Sequence, residues 1–450
     1  MSSATPPLII LILSNIITPV LSHDNGHDAA TMSDAWVLVL PLAVMLSLAR
    51  SRYTLASQSV FLAFNALGVL VGAIYNAATP DLYPNNAHHK AGWVFTWISL
   101  AQVCIGLFGR TTRYFRSELP TLVSIDIGFA VITGLEMLFG DLRSAYGRLF
   151  EGRAIYGGMA HWIKGGVFFW LGIFTLGRWS GSFGELGWAW NARAGGSQDK
   201  WYPSAELVES ALIFSYGATN VFLEHLSNTD KTWTPRDLEH VSITILFIGG
   251  GLLGMLVEST RARDLLYTTG TEVAFPAHEA TRMDGERTEK QNAAEPPKHY
   301  DFSINPVPAL VILLLGTTMS SHHQSTMDST MMHKQWGNLL TGASIARGFT
   351  YVLVYLKPPR SILPSRPPTE LMTSFCLITG GIIFMASSTD TVEGLRHYNL
   401  DAMFVYTVVT GIVGLLMAWV IIVLAVKGAA VRQQRRAQTS ARTSNERQGV

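Results

Sequence analysis

Residues 401–427 read DAMFVYTVVTGIVGLLMAWVIIVLAVK, with no charged side chain between Asp401 and Lys427. A helix rises about 1.5 Å per residue, so this stretch outruns the roughly 30 Å hydrocarbon core of a bilayer. Ten further apolar blocks lie upstream, at about 34–50, 54–78, 90–109, 120–139, 155–177, 204–226, 240–258, 305–321, 333–356 and 370–388. The pattern predicts an all-α polytopic transmembrane bundle of about eleven spans.

Composition agrees. Of 450 residues, 48% are hydrophobic and 14% charged, against roughly 25% charged in ordinary soluble proteins. A soluble chain would have to hide many all-apolar helices in one core. The net charge of +1 offers no broad basic face, which excludes nucleic acid as a partner and leaves the lipid bilayer. Both cysteines, Cys104 and Cys376, fall inside apolar blocks, against a disulfide framework or a cysteine metal site. No G-x-x-x-x-G-K-[ST] loop is present, which argues against an ATP-driven pump.

Leu8 to Leu21 is a short apolar run ending in Val20-Leu21-Ser22, so 1–22 reads as a signal peptide cleaved before His23. Arg50 and Arg52, then Arg110, Arg113 and Arg116, then Lys357, Arg360 and Arg366, then Lys427, Arg432, Arg435 and Arg436 all follow odd-numbered spans. The positive-inside tendency therefore places those loops and the C-terminus in the cytosol. The mature N-terminus is then lumenal or extracellular, in a multi-pass protein of the secretory pathway or plasma membrane. Arg143, Arg148 and Arg153 run against this pattern. Residues 259–304 are polar, with Glu295-Pro296-Pro297-Lys298, and read as a disordered cytosolic linker; 428–450 read as a basic cytosolic tail.

The topology sorts the histidines. Of 13, His23, His27, His88, His89, His161, His225, His240, His322, His323, His333 and His397 fall on the non-cytosolic side, while His278 and His299 fall in the linker. Neutral imidazoles are good ligands for haem iron, copper or zinc, and helix ends bring several within reach of one centre. Histidine also favours interfaces because it is amphipathic, but that alone leaves the cytosolic asymmetry unexplained. Glu224-His225 and Glu239-His240 supply carboxylate neighbours and Ser321-His322-His323-Gln324 an amide one, and with His333 they form a candidate transition-metal set. Asp126, Glu136, Lys164 and Glu209 sit inside spans, where a charge needs a partner or a cavity.

His27, Asp34-Ala35-Trp36 through Leu40-Pro41-Leu42 with Arg50, His89 before Gly92, Gln102 with Gly106, and His161-Trp162-Ile163-Lys164-Gly165-Gly166 together resemble the cytochrome b561 and ferric-reductase membrane core. In that group four histidines hold two b-type haems. Here Phe61-Leu62-Ala63-Phe64-Asn65-Ala66 has no histidine in the second helix. The resemblance thus implies one b-type haem held by His27 and His89, with His161 nearby, and a membrane oxidoreductase fed by a small-molecule electron donor.

The whole chain, over roughly 23–427, is similar to the fungal YTP-type membrane proteins. The matching segments are Glu185-Leu186-Gly187-Trp188-Ala189-Trp190-Asn191, Asp237-Leu238-Glu239-His240, Met319-Ser320-Ser321-His322-His323-Gln324, His333 with Gln335-Trp336-Gly337, and Ser365-Arg366-Pro367-Pro368-Thr369-Glu370. This divides the mature chain into a b561-like region (23–116), central helices opening the YTP-type region (117–258), the linker, and the remainder of that region (305–427). Trp188 and Trp190 read most simply as interfacial tryptophans. Three functions stay open: haem-linked electron transfer, a histidine-lined metal-binding or transport protein, and a non-catalytic membrane scaffold. A hydrolase using a histidine-held zinc has no ligand spacing to recommend it.

Overall fold

A computed structural model describes residues 39–49, 51, 53–78, 97, 155–192, 203–227, 235–267, 302–322, 324 and 326–448. Among these the chain is helical, with no strand. Lipid offers no water to take backbone N–H and C=O groups, and a helix satisfies them within itself. Among the described residues, four helical stretches are long and apolar enough to cross a membrane: Leu238–Glu258, Met327–Leu356, Pro368–Ala386 and Ala402–Ser440. The signal peptide, the expected span at 120–139 and nearly all of that at 90–109 lie outside the described residues.

The chain divides into two compact units, Met1–Glu151 with Ala418–Val450, and Gly152–Met417. In the first, α1 (Leu40–Leu48) packs beside α2 (Thr54–Ala78). The Thr54 hydroxyl lies 2.7 Å from Ser51 O and 3.0 Å from Leu46 O, so it ties the start of α2 to the end of α1.

The second unit is built from α3 (Ile155–Ser180), α4 (Ala205–Ser227), α5 (Pro235–Glu258), α6 (Thr260–Tyr267), α7 (Val307–Ser320), α8 (Met327–Leu356), α9 (Pro368–Ala386), α10 (Thr389–His397) and the first turns of α11 (Ala402–Gln448). Around this unit α3 packs on α9, α9 on α8, α8 on α7, α7 on α5 and α5 on α4, and α4 returns to α3.

Small residues set the closest approaches, as they do between helices in lipid. A Cβ on Gly165 of α3 would meet Gly381 O of α9 at 2.5 Å, and one on Gly381 would meet Gly165 O at 2.6 Å. Ser374 Oγ of α9 donates to Gly172 O of α3 at 2.8 Å. On the facing side Gly316 of α7 and Gly337 of α8 meet in the same reciprocal way.

Three boundaries differ from the sequence reading. α8 starts at Met327 because Thr326 caps it, its side chain accepting from Ser329 N at 3.2 Å, so His333 lies inside the helix rather than opening it. The segment read as a disordered linker opens with a helix, α6, whose first turn is capped by Ser259 Oγ accepting from Ala262 N. Its far end is pinned by Ser303 Oγ donating to Glu258 Oε1 at 2.6 Å. At the C-terminus, α11 continues as helix through Gln448, well past Lys427.

Candidate functional site

Two polar centres occupy opposite ends of the second unit. The first gathers imidazoles. His161 stands in the second turn of α3, His333 in the second turn of α8, His322 just beyond α7, and Glu239 near the start of α5. The rings of His161 and His333 lie 5.9 Å apart, edge to face, and those of His322 and His333 lie 6.5 Å apart. His322 Nδ1 is 3.3 Å from Glu239 Oε2. His333 is buried, 5% exposed, and its Nδ1 lies 2.7 Å from Ser329 O. A carbonyl only accepts, so Nδ1 is the donor in this contact.

An aromatic layer backs this cluster. Phe384 stacks on Trp336 at 4.1 Å and meets His161 edge-on at 5.6 Å, while Trp336 lies 5.7 Å from His333. As the side chains are placed, no group of three or more His, Cys, Asp or Glu among the described residues is close enough to hold a metal ion. Of the other expected ligands, His240 follows Glu239 on α5, and Glu224 and His225 fall in the last turn of α4. His27, His89 and His323 lie outside the described residues.

The second centre lies about 21 Å along α8, the rise from position 333 to 347. Helix ends supply most of it. Arg178 is in the last turn of α3, while Glu206 and Glu370 are in the first turns of α4 and α9. Each sits where the helix dipole favours its charge. Arg178 donates through Nη1 to Glu209 Oε1 at 3.0 Å, through Nη2 to Glu206 Oε1 at 3.1 Å, and through Nε to Trp188 O at 2.9 Å.

Arg347 of α8 completes the network. It donates through Nη1 to Glu209 Oε2 at 3.3 Å and through Nη2 to Thr175 Oγ1 at 3.3 Å. Its Nε lies 2.7 Å from Glu370 Oε1, an ion pair whose angle is not that of a hydrogen bond. All five charged residues are buried, Glu370 completely.

Both guanidiniums lie over the Trp190 ring, Arg178 4.5 Å and Arg347 5.5 Å from its centroid. The interfacial reading of this tryptophan is therefore corrected: it is 5% exposed, and its ring faces cations rather than headgroups. The turn that delivers it is held from several sides. Ser365 Oγ donates to Trp190 O at 2.6 Å, and Asn191 Nδ2 donates to Gly184 O at 2.8 Å and to Ile362 O at 2.9 Å. Glu185–Asn191 and Ser365–Glu370, two segments singled out in the sequence, thus meet at one place.

Glu209 was legible as a charge inside a span; Arg347, inside the 333–356 block, carried the same signal and was missed, and Arg178 stands one residue past the 155–177 block. A guanidinium in an apolar helix predicts a buried partner, though not which one.

The C-terminal model of the family described as "Protein YTP1-like" matches residues 135–428, and a domain of unknown function (DUF2427) matches 27–112. A protein named as an uncharacterized membrane protein of Schizosaccharomyces pombe is 31% identical, over 88% of this chain and 92% of its own length. A second protein so named, from Saccharomyces cerevisiae, is 39% identical over 66% of this chain and 44% of its own length. Protein YTP1 of Saccharomyces cerevisiae is 25% identical over 90% of this chain and 83% of its own. No solved structure matches. The chain is a multi-pass membrane protein and belongs to the YTP1-like family.

Proposed function

We propose that this protein binds, and in its membrane setting carries, a transition metal ion through His161, His322 and His333, with Glu239 orienting His322. One observation carries the reading: imidazoles held by three different helical segments lie within 5.9 Å and 6.5 Å of a shared member, His333. Two of them already have Nδ1 engaged, by Ser329 O and by Glu239. Metal-bound histidines have this arrangement, in which an outer partner fixes the tautomer and turns Nε2 to the ion.

With metal–nitrogen bonds of about 2.0–2.1 Å, rings sharing one ion stand roughly 5–6 Å apart. His322 must therefore swing inward by about an ångström. It follows the last turn of α7 and its side chain is 21% exposed, so it has room to do so. Imidazole ligands suit zinc, copper, iron or nickel. Glu224, His225, His240 and His323 are the proposed outer members of the set.

In this reading the chain spans the bilayer about eleven times, with the N-terminus lumenal or extracellular and the C-terminus cytosolic. The histidine end then faces away from the cytosol. Haem-linked electron transfer is the rival, and it rests on His27 and His89. The packing of His161 against both His333 and Phe384 suits a small ion better than the flat slot a porphyrin needs.

Elemental analysis and an absorption spectrum of the purified full-length protein test the proposal. About one equivalent of metal is expected, lost in H333A and reduced in H322A but retained in H397A. Metal content unchanged by H333A and H322A rejects the proposal. A redox-sensitive b-type band that disappears in H27A and H89A establishes the haem reading in its place.

A further inference from the structure

Among the described residues, the buried network at the other end of the second unit does not balance. Arg178 and Arg347 face Glu206, Glu209 and Glu370, two fixed positive charges against three carboxylates, all within one set of contacts. A guanidinium stays protonated in proteins, so with every carboxylate ionised the cluster carries one uncompensated negative charge. Burying such a charge is strongly unfavourable unless something neutralises it.

A separate observation marks where. Glu370 is 0% exposed, and while its Oε1 rests against Arg347, its Oε2 has no hydrogen-bond partner among the described residues. Buried polar atoms are nearly always paired, so an orphan oxygen in a negatively charged cluster calls for a cation.

We infer that the Arg178–Glu206–Glu209–Arg347–Glu370 cluster binds one monovalent cation, a proton or an alkali metal ion, beside Glu370 Oε2. The groups facing it are Arg178 from α3, Glu206 and Glu209 from α4, and Arg347 and Tyr351 from α8. The site is independent of the histidine centre, and neither proposal requires the other.

The test uses the full-length protein in detergent and two isosteric variants, E370Q and E206Q, each of which removes one negative charge and balances the cluster. In the proton arm, infrared spectra without alkali ions are expected to show a carboxylic-acid band that is lost in both variants, although only one of the two altered positions can hold the proton. In the metal arm, sodium or potassium chloride, with choline chloride as the ionic-strength control, raises the unfolding midpoint saturably, by about 3 °C or more, in the wild type only. One arm positive identifies the cation. The inference is overturned if neither arm distinguishes the wild type from the variants.

Discussion

Arg347 on α8 sits with its Nε 2.7 Å from Glu370 Oε1 on α9 while its Nη1 reaches Glu209 on α4 and its Nη2 reaches Thr175 on α3, so one guanidinium joins four helices in the interior of the second unit. A buried pair of this kind contributes little over a well-packed apolar pair, but losing one partner strands the other.

Replacing Arg347 by methionine should therefore lower stability by about 3–5 kcal/mol, because Glu370 and Glu209 lose their shared cation. The double variant R347M/E370L should recover much of that loss, since it returns the cluster to its original net charge and fills the space with apolar atoms. Unfolding midpoints in detergent, compared across the wild type, the single and the double variant, measure both effects. A double variant no more stable than R347M would mean that Glu370 is not the main partner.

Trp190 offers its ring face to two guanidiniums. Substitution by phenylalanine keeps a smaller, weaker aromatic face and should cost about 1–2 kcal/mol. Substitution by alanine also opens a cavity among buried groups and should cost about 3–5 kcal/mol. The order wild type, W190F, W190A in thermal unfolding checks this; equal midpoints for all three would contradict the packing described.

Glycines of α8 should divide by what stands opposite them. A Cβ on Gly337 would meet Gly316 O and Ser320 N at 2.7 Å, both backbone atoms, while one on Gly348 would meet nothing within 4 Å. G337A should destabilise by about 1–3 kcal/mol, by forcing α7 and α8 apart. G348A should stabilise by up to about 1 kcal/mol, since it removes only the conformational freedom of an unrestrained helical glycine. Unfolding midpoints of the two alanine variants should move in opposite directions.

Much of the helical framework was legible before any coordinates. The apolar runs read at 54–78, 155–177, 204–226 and 240–258 correspond to the helices α2, α3, α4 and α5, and the last of them is long and apolar enough to cross a membrane. His161, read with the haem histidines, and His322 and His333, read with the metal set, lie near one another in the fold. The ends of helices were less legible. Thr326 and Ser259 cap helices through local hydrogen bonds that an apolar window does not register.

The amino-acid sequence by itself determined a multi-pass helical protein and the approximate course of the helices among the described residues. Which charges meet was decided only by tertiary structure. Glu209 and Arg347 are 138 residues apart, and Trp190 reaches both guanidiniums through a turn anchored to the loop before α9. A charge in an apolar helix has an energetic need for a partner, but the need is the same for any opposite charge at that depth. Only the rotation of each helix, set by close contacts such as Gly165 on Gly381 and Gly316 on Gly337, selects one.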